Sequence, residues 1–170
     1  YYNMGNALQK KREPDAAIES YQKALKIDPD YADAHNNMGN ALQEKGRPDA
    51  AIESYQKAAK IKPDFIDAYY NMGNSLLYKG DFDAEIESYQ KALEINPHHA
   101  EAYNNMGNTL EHKGELNAAI ENYQKAINIT PDNAEAYNNM GSSLQKKGDL
   151  DAALESYQKA VKINPDFGSP

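Results

Sequence analysis

The chain has 170 residues, no cysteine, and 18 basic against 26 acidic residues, a net charge of −8. That length carries one ordinary domain with a core that needs no disulfide or metal, and without cysteine there is neither a disulfide framework nor a thiolate metal site. The acidic balance argues against nucleic acid or an anionic membrane as partner, and no apolar run approaches the roughly 18 residues of a membrane span, so a cytoplasmic location is the default expectation.

Along the chain a single unit recurs. Gly5, Gly39, Gly73, Gly107 and Gly141 are each 34 residues apart, and five periods account for all 170 residues. The same shift aligns Met4, Met38, Met72, Met106 and Met140, the tyrosines Tyr21, Tyr55, Tyr89, Tyr123 and Tyr157, and Pro29, Pro63, Pro97, Pro131 and Pro165. A period of this length marks units that cannot bury an apolar face alone and must stack on neighbours. The spacing predicts repeats at 1–31, 32–65, 66–99, 100–133 and 134–167, with 168–170 as a tail or cloning remnant.

Each repeat is predicted to hold two helices, because the apolar residues recur at helical spacing, as in Tyr103, Met106, Gly107 and Leu110, then Ala119, Tyr123, Ala126 and Ile127. Gly46, Gly80, Gly114 and Gly148 stand where the first helix must turn, in the left-handed conformation that glycine adopts without a Cβ clash. Pro14 and Pro48 suit the first turn of the second helix. After the helix-stopping prolines, Asp30, Asp64 and Asp132 are expected to cap the incoming helix, with Asp33, Asp67 and Glu135 three residues on.

Tyr103-x2-Met106-Gly107-x2-Leu110, Ala119-x3-Tyr123 and Pro131 resemble the tetratricopeptide (TPR) signature, and every repeat carries a version of it. The resemblance implies an all-α, right-handed α-solenoid whose first helices line a concave groove, and the Asn-Met-Gly-Asn core is similar to the superhelical arm of O-linked N-acetylglucosamine transferase and to prokaryotic arrays. Three departures stand out. Glu85 replaces the alanine at positions 17, 51, 119 and 153, and is expected to snorkel outward or widen the helix crossing. Arg12 replaces the turn glycine of the other repeats. Gly168-Ser169-Pro170 breaks the pattern and Tyr1 starts inside a first helix, so the chain reads as a fragment of a longer array, with uncapped ends that predict head-to-tail self-association.

The candidates for chemistry mostly repeat with the period, which favours structural roles, and no enzymatic activity, catalytic residue or cofactor is expected. Glu19/Lys23, Glu53/Lys57, Glu87/Lys91, Glu121/Lys125 and Glu155/Lys159 read as i,i+4 pairs on a solvated face. The methionines read as core. His35, His98, His99 and His112 match no metal-ligand spacing, and His35 stands where other repeats have a core tyrosine. No glycine-rich phosphate loop is present.

The asparagines are the exception, since an amide has no propensity reason to recur mid-helix. Asn3, Asn37, Asn71, Asn105 and Asn139 form one file; Asn6, Asn40, Asn74 and Asn108 form a second, which Ser142 ends. The resemblance places both on the groove, where amides can pair with the backbone of an extended peptide; the alternative is a structural ladder of amides bonded to each other. Asp33, Asp67, Glu101, Glu135, Glu44 and Glu111 against Lys10 and Lys146 give the groove a charge of −4, six negative less two positive, which favours a neutral or basic protein or peptide partner. Lysine and arginine are absent from the positions of the family's carboxylate clamp. Tyr70, Leu77 and Tyr78 share a helical face with Asn74 and are candidates for an apolar anchor, the alternative being that Leu77 and Tyr78 pack under a neighbouring repeat. Two function classes fit: a peptide-binding scaffold module, or the substrate-selecting arm of a larger enzyme such as a glycosyltransferase.

Overall fold

Glycine and proline punctuation divides the chain into ten helices, which a computed structural model describes over residues 1–165. Phe167 and the tail 168–170 lie outside the described residues. The helices fall into two units. The first, Tyr1–Ile95, holds α1 (Tyr2–Lys10), α2 (Pro14–Ile27), α3 (Ala32–Glu44), α4 (Pro48–Ile61), α5 (Ile66–Lys79) and α6 (Phe82–Ile95). The second, from Asn96, holds α7 (Ala100–His112), α8 (Leu116–Ile129), α9 (Ala134–Lys147) and α10 (Leu150–Ile163). No strand occurs among the described residues. Within each unit every helix packs on the next in sequence, and first helices also touch across the pair between them, α1 on α3, α3 on α5, and α7 on α9.

The turns obey the expected logic. Gly46, Gly80, Gly114 and Gly148 all take positive φ, between 67° and 92°, and Arg12 holds the same conformation at φ 59° without the freedom of glycine. Pro14 and Pro48 open α2 and α4. The capping expectation fails by one residue. Tyr31 and Phe65 occupy the N-cap positions of α3 and α5 with no side-chain bond, so Asp30 and Asp64 lie one step too early in the turn. In the second unit the cap falls on His99, whose Nδ1 accepts from the Ala102 N–H at 3.3 Å, and on Asn133, whose Oδ1 accepts from the Ala136 N–H at 3.0 Å, rather than on Asp132.

The central contact of each pair is a tyrosine ring lying on a glycine. A Cβ added to Gly39 would sit 2.5 Å from Tyr55 Cε1, and the same clash, at 2.5–2.7 Å, recurs for Gly5 on Tyr21, Gly73 on Tyr89, Gly107 on Tyr123 and Gly141 on Tyr157. The glycine admits the ring, and the ring fills the crossing. Tyr21, Tyr55, Tyr89 and Tyr123 are accordingly among the largest fully buried side chains, with Ala17, Ala51 and Ala119 beside them at zero exposure.

Two expectations about charged residues need correction. Glu85 neither snorkels nor reaches water: it is 1% exposed, and it is not without a partner. Its chain is too short, on a face turned to the crossing, to carry the carboxylate to the surface. Of the five i,i+4 pairs only Glu155–Lys159 closes, at 2.8 Å. Lys23 and Lys125 instead sit over the rings of Tyr1 and Tyr103 at 6.0 and 5.5 Å, Lys159 lies over Tyr137 at 5.8 Å as well as pairing with Glu155, and Lys91 pairs with Glu94 at 2.9 Å. A tyrosine face from the preceding helix competes for the ammonium on roughly equal terms.

Gly39→Ala should force the α3–α4 crossing apart and cost about 1–3 kcal/mol in chemical denaturation. Glu85→Ala should raise the thermal midpoint, because it replaces a buried carboxylate by the residue found at positions 17, 51, 119 and 153; a lower midpoint would show that the bonds of Glu85 outweigh its desolvation.

Candidate functional site

The two asparagine files lie side by side on the first helices, and they are bonded to each other. The Asn37 amide Nδ2 donates to Asn6 Oδ1 at 3.0 Å and to the Tyr2 hydroxyl at 3.1 Å. Asn71 Nδ2 donates to Asn40 Oδ1 at 3.1 Å and to Asn36 Oδ1 at 3.3 Å; in the second unit Asn139 Nδ2 repeats both contacts with Asn108 and Asn104, at 3.0 and 3.3 Å. The same oxygens are held from the other side. The hydroxyls of Tyr21, Tyr55, Tyr89 and Tyr123 donate to Oδ1 of Asn6, Asn40, Asn74 and Asn108, each at 2.8 Å. Burial raises the pKa of the Tyr21, Tyr55 and Tyr123 phenols, that of Tyr21 to about 12 with smaller contributions from Tyr2 and Glu44, and the Glu111 carboxylate adds to burial at Tyr123. They remain donors at any physiological pH.

The ladder left open in the sequence is therefore present, and each rung joins one helix pair to the next. What remains for a partner is narrower than whole amides. The amino groups of Asn6, Asn40 and Asn108 have no acceptor among the described residues, and Asn6 and Asn37 line a recess of about 370 Å³ with Gln9 and Lys10. Asn3 is exposed, while Asn74 and Asn105 have further partners of their own. The tyrosines Tyr21, Tyr55, Tyr89 and Tyr123 were legible only as core. Their 15-residue offset from the second file was the available signal for the hydroxyl–amide bond.

Tyr70 is half-buried, its ring 5.9 Å from that of Tyr89. Leu77 and Tyr78 both follow about two turns further along α5 and are 45% and 75% exposed. Among the described residues no group of three or more histidine and carboxylate side chains is placed to hold a metal, and no helix is long and apolar enough to cross a membrane. On α10, Leu154 and Val161 are exposed, whereas Ile52 and Ala59 in the matching positions of α4 are buried.

Sequence comparison settles the family. The chain matches the TPR repeat profile over residues 13–46, 39–80, 73–114 and 110–148, and the tetratricopeptide repeat profile over 134–167. The chain belongs to the tetratricopeptide repeat family. Among solved structures it is similar to a crystal structure of MamA, with 30% identity, a TM-score of 0.92, and coverage of 100% of this chain and 99% of that one. It is also similar to YrrB, described as a TPR protein with an unusual peptide-binding site, at 29% identity and TM-score 0.84, covering 98% of this chain and 86% of that one. The fold alone is shared with MamA residues 41-end from Desulfovibrio magneticus RS-1, at 22% identity, TM-score 0.89 and coverage of 98% and 94%. No curated protein sequence matches the chain. Membership in the TPR family makes this a protein–protein interaction module.

The acidic positions of the TPR face are partly spent on neighbours. Asn104 Nδ2 donates to Glu135 at 3.0 Å, and Gln9 Nε2 to Glu44 at 3.4 Å. Glu111, 14% exposed, accepts from Lys146, Ser143 and Ser142 of α9. Burial alone would raise its pKa, but the bonds from Lys146, Ser143 and Ser142 prevail and hold it below the usual carboxylate range. Gln43 does the same work in the first unit, accepting from Ser75 at 2.9 Å.

A carboxyl held low in the folded state stabilises it above the unfolded pKa, and that contribution is lost as pH falls through the folded pKa. Wild type should therefore exceed Glu111→Gln in denaturation midpoint at pH 7, with the gap closing below about pH 4. A gap independent of pH would assign the effect to packing.

Proposed function

We propose that this TPR module binds an extended peptide of neutral or basic character along the asparagine-bearing face of its first helices. The observation that carries the reading is that the ladder leaves amide amino groups without an acceptor, those of Asn6 and Asn40 in the first unit and that of Asn108 in the second. Amide donors suit the carbonyls of an extended backbone and are indifferent to its side chains. Exposed Asp33, Asp67 and Glu44 favour a cationic or neutral strand, and the peptide-binding description of the similar YrrB structure supports the same use of the fold. Tyr78 and Leu77 supply an apolar anchor at the end of α5. Exposed Leu154 and Val161 on α10 support a secondary reading, head-to-tail association of copies, which sedimentation that stays monomeric at high concentration would overturn.

Asn40→Asp separates the two roles of the amide, since it keeps the oxygen that accepts from Tyr55 and Asn71 and removes the donor. For a neutral peptide selected from an array, Asn40→Asp should weaken binding several-fold by calorimetry with the thermal midpoint nearly unchanged, whereas Asn40→Ala should lower both. Tyr78→Ala should cost about 2 kcal/mol of binding, more than either. Undiminished binding by Asn40→Asp and Tyr78→Ala together would move the partner to the other face.

A further inference from the structure

His35 interrupts the period at a place the groove does not use. At its register the other pairs carry Tyr1, Tyr69, Tyr103 and Tyr137, and in three of them a second-helix lysine lies over the ring. The matching lysine on α4 is Lys57, which finds no ring and no carboxylate; Lys60, one turn on, is likewise without an ion partner. Between them opens a pocket of about 750 Å³, lined by Pro29, Asp30, His35, Lys57, Lys60 and Ile61. The imidazole cannot swing out to fill it: His35 is 8% exposed, and its Nε2–H donates to the Pro29 carbonyl at 2.9 Å. Since that carbonyl only accepts, the proton sits on Nε2 and the ring is pinned as a floor. Its Nδ1 is buried with no hydrogen-bond partner, as expected where a ring has been substituted into a space built for a larger one.

We propose that this pocket is a binding site for a small aromatic carboxylate, which replaces the missing tyrosine ring. The ring lies against Pro29 and Ile61 with its face toward Lys57, reproducing the lysine-over-tyrosine contact made elsewhere, and the carboxylate meets Lys60. Two ammonium groups against the single carboxylate of Asp30 leave the mouth of the pocket positive in a chain of net charge −8, so an anion is drawn to it rather than to the acidic helices around it. The site is separate from the asparagine face and does not depend on peptide binding there.

The probe is 4-hydroxyphenylacetate, a tyrosine side chain carrying one carboxylate, titrated into the full chain and followed by amide chemical shifts. A ligand of this size should bind at about millimolar strength, with shifts confined to residues around His35, Lys57 and Lys60, and several-fold more tightly than cyclohexylacetate, which has the charge without the π face. His35→Tyr, which installs the residue found at this register in the other pairs, should abolish binding while leaving the circular dichroism unchanged. Lys57→Gln with Lys60→Gln, both at exposed positions, should weaken it about tenfold. Equal binding by His35→Tyr, equal affinity for cyclohexylacetate, or shifts mapping elsewhere would each overturn the proposal.

Discussion

Everything regular in this protein depends on a tyrosine that does two things at once. Its ring needs a glycine beneath it, because a Cβ there would lie 2.5–2.7 Å from the ring, and this brings the two helices of a pair to the separation at which alanines can fill the remaining gap. Its hydroxyl then emerges beside the first helix and donates at 2.8 Å to the asparagine that directly follows that glycine in the chain. A phenylalanine would satisfy the first requirement and leave the amide oxygen with one bond fewer. The tyrosine converts an apolar contact within a pair into an anchor for the polar contact between pairs.

That anchor explains why asparagine recurs where helix propensity argues against it. An amide oxygen accepts twice, so Asn6, Asn40 and Asn108 can hold the tyrosine of their own pair and the amide of the following pair together. Aspartate could accept both bonds but would line the face with charge, and leucine could pack but would not fix orientation. Because each oxygen is doubly bonded, the amino group has its direction set by the scaffold. For the proposed peptide, donors with a preset direction would bind at lower entropic cost than mobile side chains.

The sequence showed the scaffold better than the face. Period, helix pairing, turn glycines, the left-handed Arg12 and the opening prolines could be read directly, because each is a local steric requirement repeated in register. The partners of polar side chains could not, since they depend on distances between helices that no single repeat specifies. Lys23, Lys57, Lys91, Lys125 and Lys159 have the same local spacing to a glutamate, yet only Lys159 closes that pair, while Lys23 and Lys125 lie over tyrosine rings of the other helix and Lys91 turns to Glu94. Asp30 and Asp64 failed as caps for a similar reason: burying Phe65 and placing Tyr31 beside Tyr2, at 4.7 Å between rings, sets where the helix begins.

In the proposed peptide reading, amide donors that recur with the repeat are poorly suited to tell one partner from another. Discrimination must come from positions where the period is broken. The breaks here are not scattered evenly in chemistry: Tyr70 and Tyr78 add aromatic surface to α5, Glu111 replaces the glutamine of position 43 and draws in Lys146, and His35 opens a basic pocket between the α2–α3 turn and α4. Tyr78, Glu111 and His35 lie outside the tyrosine, glycine and asparagine set, so the ladder survives them, whereas Tyr70 stands at the register where Tyr2, Asn36 and Asn104 accept from the following pair. The same separation lets the array change its specificity one residue at a time without disturbing the contacts that hold neighbouring pairs together.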